Sequence, residues 1–256
     1  MKDNRHPITI AEDELFDEWA EKFGYGDLFI QDGVPCPDNF EKAKHQITFV
    51  LKEAHSSVGW DMRNWIDACG AKGEGITWNN VTRWTQAILE RGEYLQNIST
   101  EDRKHWLRQI SFLNLKKEGG GRSANHTKIE EYARKEKDFI RRQLIIYQPD
   151  IIICCGKNVV AEWLYDFVFK HKNQYKDWYN TLVEVDKNNW KMQKTDWENS
   201  YEKIYYDCCN FYKTTALGKE TVVLNCYHPQ YQGFNRKIFD AINTIAQKVL
   251  PVRAEK

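Results

Sequence analysis

The stretch ITFVLKEAHSS, Ile47 to Ser57, starts as a buried strand and stops behaving like one at Lys52. Ile47, Phe49, Val50 and Leu51 form a continuous apolar run, the pattern of a strand covered on both faces rather than one with a solvated side. Lys52, Glu53 and His55 follow at once, with no glycine turn between them. Three further segments share the continuous apolar pattern: ISFLNLKK (110–117), DIIICCG (150–156) and TVVLNCYHP (221–229). Helical periodicity fills the intervals. In TWNNVTRWTQAILERG, Val81, Trp84, Ile88 and Leu89 share one face, with Thr77 as the expected N-cap and Gly92 as the expected stop. KIEEYARKEKDFIRRQLIIY reads as one long amphipathic helix ending before Pro149, and VVAEWLYDFVF and KIFDAINTIAQKVL supply two more. Strand and helix alternate, so the expected fold is a three-layer α/β/α domain around a four-stranded, mainly parallel sheet.

A chain of 256 residues, 41% hydrophobic, can bury one full core. The whole length reads as a single domain, with an acidic helical extension over about 1–45 and an aromatic-rich insertion over about 166–213. No apolar run is long enough for a membrane span, and the acidic start has no signal-peptide core. The seven cysteines include no C-x-x-C, so reduced thiols in a cytoplasmic protein are expected, with no metal site and no cofactor. Formal net charge is zero, which excludes a generic nucleic-acid coat. Residues 1–46 carry 5 basic and 11 acidic side chains, whereas residues 103–142 carry 12 basic and 5 acidic. That basic stretch is either a footprint for phosphate or a helix face laced with ion pairs.

In an open α/β sheet, ligands bind outside the carboxyl ends of the strands. Three of the four strands exit into chemistry: Lys52-Glu53-Ala54-His55, Asn114-Leu115-Lys116-Lys117 and Tyr227-His228-Pro229-Gln230. The fourth exits into Gly156-Lys157-Asn158, a turn into a helix. A carboxylate, an amide and an imidazole are thereby expected on one edge of the sheet.

The ordered set of motifs resembles the uracil-DNA glycosylase superfamily, in particular its bacterial branches with a Gly-Glu-Ala-Pro first motif. Glu53-Ala54 is similar to the Glu-Ala of that motif, and Asn114 in FLNLKK to the family's strand-end asparagine. YQPDIIICCG resembles its Pro-x-x-Ile-Val-x-x-Gly strand, and His228-Pro229 its C-terminal His-Pro-Ser. The match covers roughly residues 46–165 and 219–250. Lys52 replaces the motif's glycine, His55 its proline, and Gln230 the serine after His-Pro. Glu118 stands where iron–sulfur branches carry a cysteine, so no cluster is expected.

The resemblance implies a monofunctional DNA glycosylase that extrudes a base from duplex or single-stranded DNA and hydrolyses its N-glycosidic bond, with no lysine placed by motif as a Schiff-base nucleophile. That reaction builds positive charge on the sugar and negative charge on the departing base. Glu53 fits activation of water at the sugar, and structural ion pairing is its rival role. His228 fits donation to the base oxygen. Asn114 has the donor and acceptor to read a pyrimidine edge, and a turn amide is the alternative. His55, Trp78 and Asn80 are expected around the base, with Trp78 as stacking platform or core residue. Lys116, Lys117 and Arg122, around Gly119-Gly120-Gly121, are expected on phosphates, and Gln230, Tyr231 and Gln232 in the groove left by the flipped base. Two substrates compete: a hypermodified pyrimidine such as glucosylated hydroxymethylcytosine in phage DNA, which makes the protein an anti-phage enzyme, and uracil or another deaminated base in repair. A catalytically silent binder of DNA or protein is the reading from a different class.

Overall fold

A computed structural model of the chain describes residues 4–73, 75–121, 123–157, 159–169, 209–233 and 235–250. The four expected strands are present, each shorter than its apolar segment: β1 (Ile47–Leu51), β2 (Ser111–Asn114), β3 (Ile151–Cys155) and β5 (Thr221–Cys226). All residues of these four are buried. A fifth strand, β4 (Cys209–Thr214), pairs antiparallel with β5 at the sheet edge, giving the order β2-β1-β3-β5-β4. The expected four-stranded sheet is thus corrected to five. An edge strand needs no continuous apolar run, and CNFYKT has none, which hid it inside the aromatic-rich insertion. The rest of that insertion, 170–208, lies outside the described residues.

Register explains the two-sided burial. Ile47, Phe49, Leu51, Phe112, Ile151, Ile153 and Leu224 point to one face and join a core with α4 (Ile76–Leu89) and α9 (Asn235–Val249). Val50, Leu113, Ile152 and Val223 point to the other, under α1 (Pro7–Phe23), α6 (His126–Lys135) and α7 (Lys137–Tyr147). The acidic N-terminal stretch is no appendage: Leu15, Phe16 and Trp19 of α1 are buried in this second core. The remaining helices are α2 (Pro37–Lys42), α3 (Met62–Cys69), α5 (Thr100–Leu107) and α8 (Val160–Trp163), the last continuing as a π-helical turn to Phe169.

Two helix boundaries differ from expectation. α4 starts after Gly75 and ends at Leu89, capped by Glu90, so neither Thr77 nor Gly92 bounds it. The long amphipathic pattern breaks into α6 and α7 at Glu136, whose buried carboxylate accepts from Trp19 Nε1 and Tyr25 Oη. Part of that basic stretch is the ion-paired helix face foreseen as an alternative, with Arg134 on Glu130 and Arg142 on Glu18. In the parallel part of the sheet the chain moves from β1 to β2 on one side, then to β3 on the other. That reversal sets the crevice at the carboxyl ends of β1 and β3.

Candidate functional site

Glu53 leaves β1 two residues after Leu51, and its side chain is only 10% exposed. Pairing with the β2 exit continues past both strands, through Leu115 N to Leu51 O and Lys116 N to Lys52 O, each 3.0 Å. This brings Lys116 Nζ to 2.8 Å from Glu53 Oε2, and the same ammonium donates to Gly119 O at 2.8 Å. The backbone then closes around the carboxylate, with Gly120 N donating to Ala54 O at 2.8 Å. A Cβ on Gly120 would stand 2.0 Å from the Glu53 carboxyl carbon, and one on Gly119 would stand 2.0 Å from Ser56 O. Glycine is required at both positions because the second exit lies flat against the first.

These contacts correct the expected phosphate ligands. Lys116 is almost buried and held by Glu53. Lys117 is fully buried, its Nζ 2.5 Å from Asp32 Oδ1 and 2.9 Å from Gln143 Oε1, above the ring of Trp19. Neither ammonium faces solvent, because both compensate carboxylates inside the fold. Arg122 lies outside the described residues.

Asn114 closes β2 beside Leu51 and is fully buried. Its backbone N–H donates to Asp32 Oδ2, the other oxygen of the carboxylate that holds Lys117. Its side-chain Oδ1 has no hydrogen-bond partner, and its Nδ2 lies 3.9 Å from Met62 Sδ. A buried carbonyl oxygen without a donor is costly, and such groups in a sheet-edge cleft are what a ligand N–H satisfies.

Over Phe112 of the same strand, aromatic rings pack edge to face. Trp78 meets Phe112 at 5.3 Å and Trp65 at 5.6 Å, and Trp65 meets Trp60 at 5.4 Å. Trp78 is itself buried, so of its two expected roles the structure places it in the core. Trp60 and Trp65 are the partly exposed members of the chain, and the sequence pattern did not single them out.

His228 follows β5 in a turn that is closed from both sides. Its Nδ1 accepts the Gln230 N–H at 3.2 Å, and its carbonyl accepts the Tyr231 N–H at 2.8 Å. Asn80, fully buried, donates from Nδ2 to Pro229 O at 2.6 Å and to Asn235 Oδ1 at 3.2 Å, while its Oδ1 accepts from Arg83 at 2.9 Å. With its amide thus committed, Asn80 positions the His-Pro turn rather than reading a base. Burial, with the Lys52 charge second, pushes the His228 imidazole down to about 4. A neutral ring whose Nδ1 accepts must carry its proton on Nε2, so His228 presents one N–H donor at neutral pH.

Gln230, Tyr231 and Gln232 are exposed beyond the turn, with Tyr231 stacked on Tyr227 at 4.7 Å. His55 is exposed and bridges the Gly120 backbone. Glu53, Asn114, His55 and His228 therefore share one end of the sheet.

Among the described residues, no group of three His, Cys, Asp or Glu side chains is arranged to hold a metal ion, and no helix is long and apolar enough to cross a membrane. Comparison of the chain with protein-family models and with curated proteins finds no match.

Proposed function

We propose that this protein is a DNA glycosylase that takes an extruded, modified pyrimidine at the carboxyl end of its sheet and hydrolyses the N-glycosidic bond to leave an abasic site. The observation that carries the reading is a pairing of roles: a neutral imidazole donor on the β5 exit and a fixed carboxylate on the β1 exit of the same sheet. Lys116 holds one oxygen of Glu53, leaving the other to orient a water and take its proton as the bond to the sugar breaks. Negative charge gathering on the base oxygen is met by the His228 Nε2–H, whose donor is already oriented. The unpartnered Oδ1 of Asn114 accepts an N–H from the base edge. No metal or cofactor enters these steps.

Glucosylated hydroxymethylcytosine, as in phage DNA, is the preferred substrate, and an anti-phage role follows from it. Support comes from the departures Lys52 and His55 in the first motif, the latter exposed at the lip of the site. Uracil or another deaminated base is the alternative within the same chemistry. The test incubates the protein with uracil-containing duplex, single-stranded uracil DNA and modified-cytosine phage DNA, and assays abasic sites. Excision is expected from the modified DNA and is expected to fall by about 10²-fold or more in Glu53→Gln. Full activity in that variant refutes the mechanism, and DNA binding without excision on any substrate makes the protein a silent binder.

A further inference from the structure

The crevice between β1 and β3 holds a cation that the reaction above does not use. Lys52 runs across the turn after β3, so close that a Cβ on Gly156 would stand 2.7 Å from its Cε and 3.6 Å from its Nζ. Its Nζ ends 3.0 Å from Nε2 of His126, the first residue of α6. Among the described residues no carboxylate lies within ion-pair distance of Lys52, and the neighbouring Glu53 is taken by Lys116. α6 carries no acidic residue in its first turn, and the amide of its N-cap Asn125 is turned inward onto Lys128 N.

The Lys52 ammonium thus donates to a neutral imidazole nitrogen at a helix N-terminus and, among the described residues, has no carboxylate partner. Burial lowers the basicity of both, and the Lys52 charge lowers His126 further. A half-buried ammonium is normally paired with an anion, so the arrangement favours a ligand that brings negative charge and several acceptors. Phosphate does both, and a helix N-terminus adds its own attraction. Gly156 leaves room on the β3 side for the Lys52 side chain itself. The lysine stands where the resembled family carries glycine, so the site belongs to this chain's departure from that pattern.

We infer that Lys52 and His126 form a phosphate-binding site at the β1–β3 crevice, which clamps a backbone phosphate of the DNA strand entering the cleft. The identity of that phosphate rests on the glycosylase reading; the site itself does not.

The first measurement follows the His126 ring resonances by ¹H–¹³C NMR while sodium phosphate is added at constant ionic strength against chloride. A saturable shift is expected, weakened about tenfold or more in Lys52→Met. No saturable shift, or the same affinity in Lys52→Met, overturns the site. The second measurement takes the salt dependence of binding to an unmodified single-stranded oligonucleotide. Lys52→Met should lower the log–log slope by about 0.7, while His126→Gln, an exposed substitution of a neutral ring that spares the core, should weaken binding without changing the slope. An unchanged slope in Lys52→Met overturns the assignment to the DNA backbone even if inorganic phosphate binds. If phosphate binds and the Lys52→Met slope falls while no base is excised, the phosphate clamp stands and the glycosylase reading fails.

Discussion

Protonating His228 works against the fold, and the size of the effect can be worked out. The imidazole has its ordinary value near 6.5 in the unfolded chain and about 4 in the native state, held down first by burial and then by Lys52. Between those values the unfolded chain binds a proton that the native protein refuses, so stability falls as pH drops from 6.5 towards 4 and levels off below. At pH 5 the loss is about 2 kcal/mol, and well below pH 4 it approaches roughly 3 kcal/mol. His228→Asn isolates this term, since the asparagine Oδ1 can take over the bond from Gln230 N while carrying no titrating group. The assay is urea unfolding of both proteins at pH 8 and pH 5. Wild type should lose about 2 kcal/mol more than the variant over that interval. A difference below about 0.5 kcal/mol would mean that His228 titrates like a free histidine. The neutral Nε2–H donor on which the proposed chemistry depends would then be absent at mildly acid pH.

Three further outcomes follow from the same geometry. Gly120→Ala drives a methyl into the buried Glu53 carboxylate and pushes it off Lys116, so excision should drop about 10²-fold and stability should fall by about 1–3 kcal/mol; kcat and urea unfolding check the two. Asn80→Ala frees the Pro229 carbonyl and breaks the tie to Arg83, which should cost about 1–3 kcal/mol in urea unfolding and lower excision through a looser His228 turn. Lys117→Met leaves Asp32 buried and uncompensated and should cost about 3–5 kcal/mol; adding Asp32→Asn should recover part of it, because the amide oxygen can still accept from Asn114 N.

The sheet was legible where burial is two-sided. β1, β2, β3 and β5 are continuous apolar runs, and the exits that follow them put Glu53, Asn114 and His228 at one end without reference to any contact. What stayed hidden depends on partners far along the chain. The burial of Lys117 is decided by Asp32, 85 positions away, and that of Asn80 by Pro229, 149 positions away. A lysine at the end of a strand looks the same in sequence whether it reaches solvent or neutralises a buried acid. Lys52 and Lys116, both read by position, therefore exchange roles. The lysine expected on phosphate holds the carboxylate, and the one passed over as a lost glycine has no acid to hold.

The exit of β1 carries no glycine turn because its glycines stand on the neighbouring strand. Gly119 and Gly120 come from the β2 exit and press against Ser56 and Glu53, so the two exits fold as one unit, with the carboxylate clamped between a lysine and a bare Cα. In such a unit the residues that fix Glu53 are buried, and the residues that can vary without disturbing it face outward. His55 is the outward residue, paired through its backbone with Gly120. On the proposed glycosylase reading, a histidine in place of the resembled motif's proline would change what meets the base and leave the carboxylate undisturbed. If the resemblance holds, an intact Glu-Ala pair with an altered third position is what a change of substrate, rather than a loss of chemistry, would produce.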